Sequence, residues 1–266
     1  ISPRYGTVEG DDIITFTGTD FSTDTSDYTI TIDGVDCPVD TASSTEVTCT
    51  SGERIGLVES SLSVYIDDYG FVATQGFTFL YVSLWSADST WGGDFAPIEG
   101  DSIYIPTGLN LLVDIDESPL LEAIIVEGSL TFIPDDDDTT TERTFDARYI
   151  FVRGGTMEVG TEDYPYTSQI TITMHGDITN SFLPIYGNKV LGCRFCTLDM
   201  HGPERTPTWT VMAVTAEIGD DEITLAEAVD WAVGEEIAIA SSGFVGREAE
   251  KRTITAIDNT DSDAPI

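Results

Sequence analysis

Ile124-Ile-Val-Glu-Gly-Ser-Leu-Thr-Phe132 and Ile150-Phe-Val-Arg-Gly-Gly-Thr-Met-Glu-Val159 follow one plan. Each is a short apolar strand, a turn at glycine, then a second strand with alternating apolar positions. The two turns, at Gly128 and Gly155, lie 27 residues apart. A third stretch, Val190-Leu-Gly-Cys-Arg-Phe-Cys-Thr-Leu-Asp-Met200, repeats the plan after a longer interval. Recurrence every few tens of residues marks stacked β coils, because one coil cannot bury its own apolar face. Unequal spacing fits coils with loops of variable length, and glycine is expected at corners that need positive φ. Residues 82–266 are therefore read as a right-handed parallel β-helix that continues beyond the segment.

Upstream the pattern differs. Ile13-Ile-Thr-Phe-Thr, Tyr28-Thr-Ile-Thr-Ile, Glu46-Val-Thr-Cys, Leu62-Ser-Val-Tyr-Ile and Phe77-Thr-Phe-Leu-Tyr alternate apolar and polar residues between Gly, Asp and Ser turns. Helix-period patterning is absent. Residues 1–81 read as an immunoglobulin-like β-sandwich, so the whole chain is all-β.

Charge narrows the partners. Forty-eight acidic residues against 11 basic ones give a formal charge of −37. That field repels nucleic acid, polyanionic glycans and anionic membranes. No run of 18 apolar residues exists, so membrane attachment is expected only through parts of a parent protein outside this segment. The first residues already resemble a domain strand and not a signal peptide, so the chain is read as a piece of a larger protein. Arg143, Arg148 and Arg153 could form a positive stripe, with pairing to neighbouring carboxylates as the plainer expectation.

Cys37 and Cys49 flank a turn-rich segment between two strand-like runs, where a disulfide would contribute about 3 kcal/mol and would imply an oxidising compartment. Cys193-Arg-Phe-Cys196 lacks the partners of a zinc site and the strand-to-helix context of a redox motif. A structural disulfide is expected there, within the pair or to segments outside the chain.

Two resemblances add to this. Ser2-Pro-Arg-Tyr-Gly-Thr-Val-Glu-Gly10, Ile14-Thr-Phe-Thr-Gly-Thr-Asp-Phe21, Gly34-Val-Asp-Cys-Pro-Val39 and Val47-Thr-Cys-Thr50 resemble an IPT/TIG domain, with Asp11 where a second glycine is common. The stretch from about 85 to 257 resembles the eight-glycine (G8) domain of fibrocystin-like proteins and cell-surface hyaluronidases. The likeness rests on Trp85 and Trp91, Pro97-Ile-Glu-Gly-Asp-Ser-Ile-Tyr-Ile-Pro-Thr-Gly108, Gly154-Gly-Thr-Met-Glu-Val-Gly-Thr-Glu162, Met174-His-Gly176, Met200-His-Gly202 and Val229-Asp-Trp-Ala-Val-Gly234. The order of the two domains is that of the fibrocystin type, which implies a cell-surface, secreted or ciliary setting and a structural or adhesive role. Partners would be further copies, other surface proteins or carbohydrate.

Polysaccharide chemistry is the competing expectation. Glycoside hydrolysis usually needs two placed carboxylates. Glu162 follows a Gly-rich turn. Asp199 and His201 are two apart, so they share one strand face, and His175 sits at the matching Met-His-Gly. The structural alternative has Glu162-Asp163 as a turn and each histidine satisfying corner carbonyls. Members of the family that cleave hyaluronan carry basic residues after the Pro-aromatic pair, where this chain reads Pro165-Tyr-Thr-Ser-Gln169. No catalytic residue is assigned on this reading, and no cofactor motif is present. Asp135, Asp136, Asp137 and Asp138, and Asp67-Asp68, offer oxygen ligands that calcium could use, in a calcium-bridged filament for example.

Overall fold

The computed structural model describes all residues except 58–59, 75–78, 135–141, 182, 184 and 259–266. Among the described residues there are strands, turns and short 3-10 segments, and no α-helix. The chain divides into two units, Ile1–Gly202 and Pro203–Ile266.

The first unit opens with β1 (Tyr5–Thr7), β2 (Ile13–Thr17), β3 (Tyr28–Ile32), β4 (Val35–Asp36), β5 (Val39–Ala42), β6 (Glu46–Thr50), β7 (Leu62–Ile66) and β8 (Gly70–Phe71). Antiparallel sheets of order β2-β6-β5 and β4-β3-β7-β8 give the immunoglobulin-like part. Alternation sends Ile14, Ile30, Ile32, Val47, Val64 and Ile66 into one core. The Cys37–Cys49 disulfide lies in that core with both residues buried, its Cα atoms 5.5 Å apart.

The remaining strands of this unit are β9 (Leu80–Leu84), β10 (Ser102–Ile105), β11 (Asn110–Val113), β12 (Leu121–Val126), β13 (Ser129–Phe132), β14 (Glu142–Arg153), β15 (Thr156–Val159), β16 (Gln169–Met174), β17 (Val190–Arg194) and β18 (Thr197–Met200). They form two parallel sheets, β1-β9-β11-β13-β15-β18 and β10-β12-β14-β16, with β17 also paired to β14. From β10 onward, successive strands fall alternately in the two sheets until β16 and β17, which both pair with β14. Register aligns apolar residues in rows: Leu111, Leu130 and Met157, then Val113, Phe132 and Val159. The facing sheet supplies Ile103, Ile124 and Ile150, and all of these belong to one buried cluster. Trp85 stands in the same cluster, edge-on to Trp91 at 5.3 Å and to Phe145 at 5.7 Å. That contact accounts for the paired tryptophans of the sequence.

The longer interval before the third stretch has a local cause. The 12-residue β14 pairs with β16 along Glu142–Ala147 and with β17 along Tyr149–Arg153. The residues between β16 and β17 interrupt what would otherwise be one strand.

Two expectations change. Gly128 and Gly155 are not at positive φ. Their reason is close approach: a Cβ on Gly128 would lie 2.1 Å from the Leu109 carbonyl oxygen, and one on Gly155 would lie 2.4 Å from that of Gly128. The glycines thus stack from one rung to the next. Among the described residues, parallel pairing between strands also ends at Met200. In the second unit β19 (Glu236–Ile239) and β20 (Glu250–Thr253) pair antiparallel, and Met212 bridges Leu225 in the same sense. β20 reads Glu-Lys-Arg-Thr and is exposed throughout, so it has no apolar row to offer a buried stack. Within this unit Trp231 donates to the Pro207 carbonyl at 2.8 Å, and Arg205 Nε donates to Glu235 at 2.8 Å.

Candidate functional site

β15 ends at Val159, and Gly160 turns the chain at φ +68. A Cβ at Gly160 would lie 2.4 Å from the Tyr166 nitrogen and 2.6 Å from the His201 oxygen. Glycine therefore allows Tyr166 to donate to the His201 carbonyl at 2.7 Å. The next residues form a tight turn in which Thr161 donates to the Tyr164 carbonyl at 2.8 Å, and Tyr164 to Thr161 Oγ1 at 3.1 Å. Glu162 and Asp163 are its exposed tip. This turn, Asp199, His201 and Arg4 line a shallow groove of about 320 Å³.

Asp199 and His201 meet as the strand period requires: Nε2 to Oδ1 is 2.8 Å. His175 makes the same contact elsewhere, Nε2 to Asp146 Oδ1 at 2.7 Å, at the end of β16 in the other sheet, and it does not line the groove. The expectation of imidazoles on corner carbonyls is thus corrected, since both rings reach carboxylates. It is their backbone amides that close the ladder, His175 onto Ala147 at 2.8 Å and His201 onto Val159 at 3.0 Å.

Arg4 ties the groove to residues that the sequence reading missed. Glu158, 7% exposed, stands in register between Thr131 and Asp199 on the outward side of β15. Arg4 grips it with two hydrogen bonds, Nη1–Oε1 at 3.0 Å and Nη2–Oε2 at 3.2 Å, and the Tyr5 hydroxyl donates to the same carboxylate. The Arg4 guanidinium also lies 5.2 Å from the Tyr5 ring and 5.5 Å from the Tyr164 ring. Burial first, then the hydrogen bond and charge of Glu158, push the Tyr5 phenol far above its ordinary value. A charged residue in an otherwise buried row, and an arginine isolated in an acidic stretch, were the available signals.

Chemically, the groove offers an imidazole oriented by a carboxylate, a second carboxylate at Glu162 and an aromatic face at Tyr164. Arg4 is committed to Glu158, so Glu162, Asp163 and Asp199 set the local charge.

The other expected features are distributed. Arg143 pairs with Asp116, Arg148 with Glu122 and Arg153 with Glu127, each on the preceding rung. The stripe of arginines is therefore charge-compensated. Cys193 and Cys196 are bonded to one another, with Phe195 between them at φ +52 and exposed. Asp67 and Asp68 lie at the β7–β8 turn, where Asp67 donates its amide to the Asp27 carbonyl at 2.8 Å. Asp135, Asp136, Asp137 and Asp138 lie outside the described residues. Among the described residues no group of three or more His, Cys, Asp or Glu side chains is arranged to hold a metal ion.

Comparison with known families matches residues 1–81 to the IPT/TIG domain and residues 90–213 to the G8 domain. Mouse fibrocystin-L is 33% identical over 259 residues, which is 97% of this chain and 6% of that protein. Mouse fibrocystin is 33% identical over 187 residues, 70% of this chain and 4% of the relative. Protein rliB of Dictyostelium discoideum is 27% identical over 182 residues, 65% of this chain and 16% of the relative. The chain thus spans about 6% of the length of the fibrocystin-L relatives it matches. No solved structure matches it. The chain carries an IPT/TIG domain followed by a G8 domain and is similar along most of its length to a segment of the fibrocystin-L proteins.

Proposed function

We propose that this chain is a segment of a secreted or cell-surface protein, a ciliary or flagellar surface included, whose work is structural and adhesive. The sandwich of residues 1–81 and the parallel sheets within residues 82–202 would hold one another in a fixed orientation and present side surfaces to protein or carbohydrate. One observation carries the reading: the only two cations of the first 142 residues both reach across that boundary. Arg4 grips Glu158. Arg54, buried against Asp33 at 2.8 Å, donates to the Gly108 carbonyl at 3.1 Å. Buried pairs of this kind fix geometry more than they add stability. Fixed geometry is what an extended surface array needs, and the charge of −37 suits a chain kept apart from its neighbours except at defined contacts. The finer architecture proposed for the G8 part is a right-handed parallel β-helix. Alternation of parallel strands between two sheets supports it, as does the near-universal right hand of parallel crossovers.

Beads coated with the 266-residue chain should adhere to one another or to a cell or glycan surface above the level of beads carrying an equally acidic inert protein. Equal adhesion of the two would overturn the reading.

A second reading, a glycan hydrolase of the groove, is favoured by the convergence of Glu162 with the Asp199–His201 pair. Cleavage of hyaluronan or a neutral glycan that disappears in Asp199→Asn or Glu162→Gln would establish it. Absence of turnover with both substrates would remove it.

A further inference from the structure

The outward face of β10, β12 and β14 carries a row that the groove does not use. Tyr104, Ile125 and Phe151 stand in register on these three adjacent strands, on the side opposite the core row of Ile103, Ile124 and Ile150. Tyr104 is 55% exposed and Ile125 37%. Phe151 is half-buried, with the Tyr186 ring tilted against it at 4.8 Å between centroids. On β17 the same row holds Gly192, where a Cβ would come within 3.1 Å of Phe151 and 3.3 Å of Tyr186. Glycine leaves room there for the Tyr186 ring, which walls one end of the strip. Along one side Arg153 Nε donates to Glu127 Oε1 at 2.8 Å, and the Tyr104 hydroxyl donates to Glu127 Oε2 at 2.5 Å.

We infer that this strip binds an uncharged, linear β-linked glycan laid across the strands. The inference deepens the carbohydrate half of the contact reading and rests on it. Three features point to that ligand. Ring faces suit the apolar faces of pyranose units, as they do other half-apolar groups. Parallel strands lie about 4.8 Å apart, so Tyr104 and Phe151, two rungs apart, are separated by about 10 Å along the stack, close to the length of two linked hexoses. Glu127 and Arg153 neutralise one another beside the strip, with Arg194 next in register on β17, in a chain of net charge −37. Uncharged hydroxyls can share the hydrogen-bonding edge of that pair, while a polyanion is repelled by the surrounding field. A second protein is a poor occupant, because a stable interface buries about 800 Å² on each side, far beyond four side chains.

Titration of the 266-residue chain with cellohexaose, followed by NMR, should shift the Tyr104 and Phe151 ring signals. Tyr104→Ala should weaken binding roughly tenfold, while Tyr104→Phe, which keeps the ring, should retain most of it. Thermal melting of each variant checks that the fold is kept. Binding that survives Tyr104→Ala, or that is lost instead in Glu162→Gln, would overturn the strip and leave the contact reading standing. Failure of both cellohexaose and laminarihexaose to bind, or binding of hyaluronan hexasaccharide alone, would overturn the inference. Neither result alters the outcome of the bead-adhesion test, which decides the broader reading separately.

Discussion

Arg4 and Glu158, 154 residues apart in sequence, form a two-point ion pair at 3.0 and 3.2 Å, with Tyr5 as a third partner. Side-chain exposures of 16% and 9% place the pair largely out of water. Removing one member therefore strands the other, a different matter from cutting a surface bridge. Arg4→Ala should lower stability by about 3 kcal/mol, with Glu158→Gln costing less because Tyr5 can still donate to the amide oxygen. Denaturant unfolding of both single variants and the double variant checks this. A double variant no worse than Arg4→Ala alone is the expected coupling.

Tyr5 gives a pH signature. Its phenol is held above the ordinary 10.0 by burial and by Glu158, so between the two values the folded chain keeps a proton that the unfolded chain releases. Stability is then full below about pH 10 and falls as pH rises further. Tyrosinate absorbance should show the Tyr5 phenol resisting ionisation until the protein unfolds, and Tyr5→Phe should reduce the delayed absorbance by one phenol. Tyr81, also raised by burial first and then by nearby Asp33, should titrate late in both proteins.

The stacked glycines set a packing limit. Gly155→Ala would press a methyl against the Gly128 carbonyl at 2.4 Å and should cost about 2–3 kcal/mol as overpacking. Gly202→Ala, with nothing within 4 Å of the added carbon, should leave the melting temperature nearly unchanged. Thermal melts of the two variants side by side test the rung-to-rung approach.

Much of this fold was legible in the sequence. The repeats around Gly128 and Gly155 mark strands that do pair in register, and Cys37 and Cys49 mark a bond from the β4–β5 link to β6. Asp199 and His201 could be placed together because a two-residue step is all that separates them. The reason for the glycines was misread, because a close approach between rungs is a property of the stack and leaves no local φ signal. The double partnering of β14 was hidden as well, since its two neighbours are separated by an insertion within the chain. Arg4 and Glu158 escaped notice for a related reason: a contact across 154 residues has no period to reveal it. Antiparallel pairing after Met200 was foreshadowed only by the charged β20, which pairs Lys251 with Glu236 across the hairpin at 3.0 Å.

The two disulfides should differ in worth. Loop closure assigns about 3 kcal/mol to Cys37–Cys49, with 12 residues of separation, and about 2 kcal/mol to Cys193–Cys196, with three. Replacing each pair by alanine and comparing denaturation midpoints checks the order. The first replacement also leaves gaps in the sandwich core, since both of its cysteines are at most 2% exposed.

Residues 1–202 should open as one body. Hydrogen exchange measured on amides of β3 and β14 tests this most directly, because one strand lies in the sandwich and the other in the parallel sheets. The prediction is a single opening free energy for both strands, lowered by the same amount in Arg4→Ala. Separate values, with only one strand responding to the substitution, would contradict it.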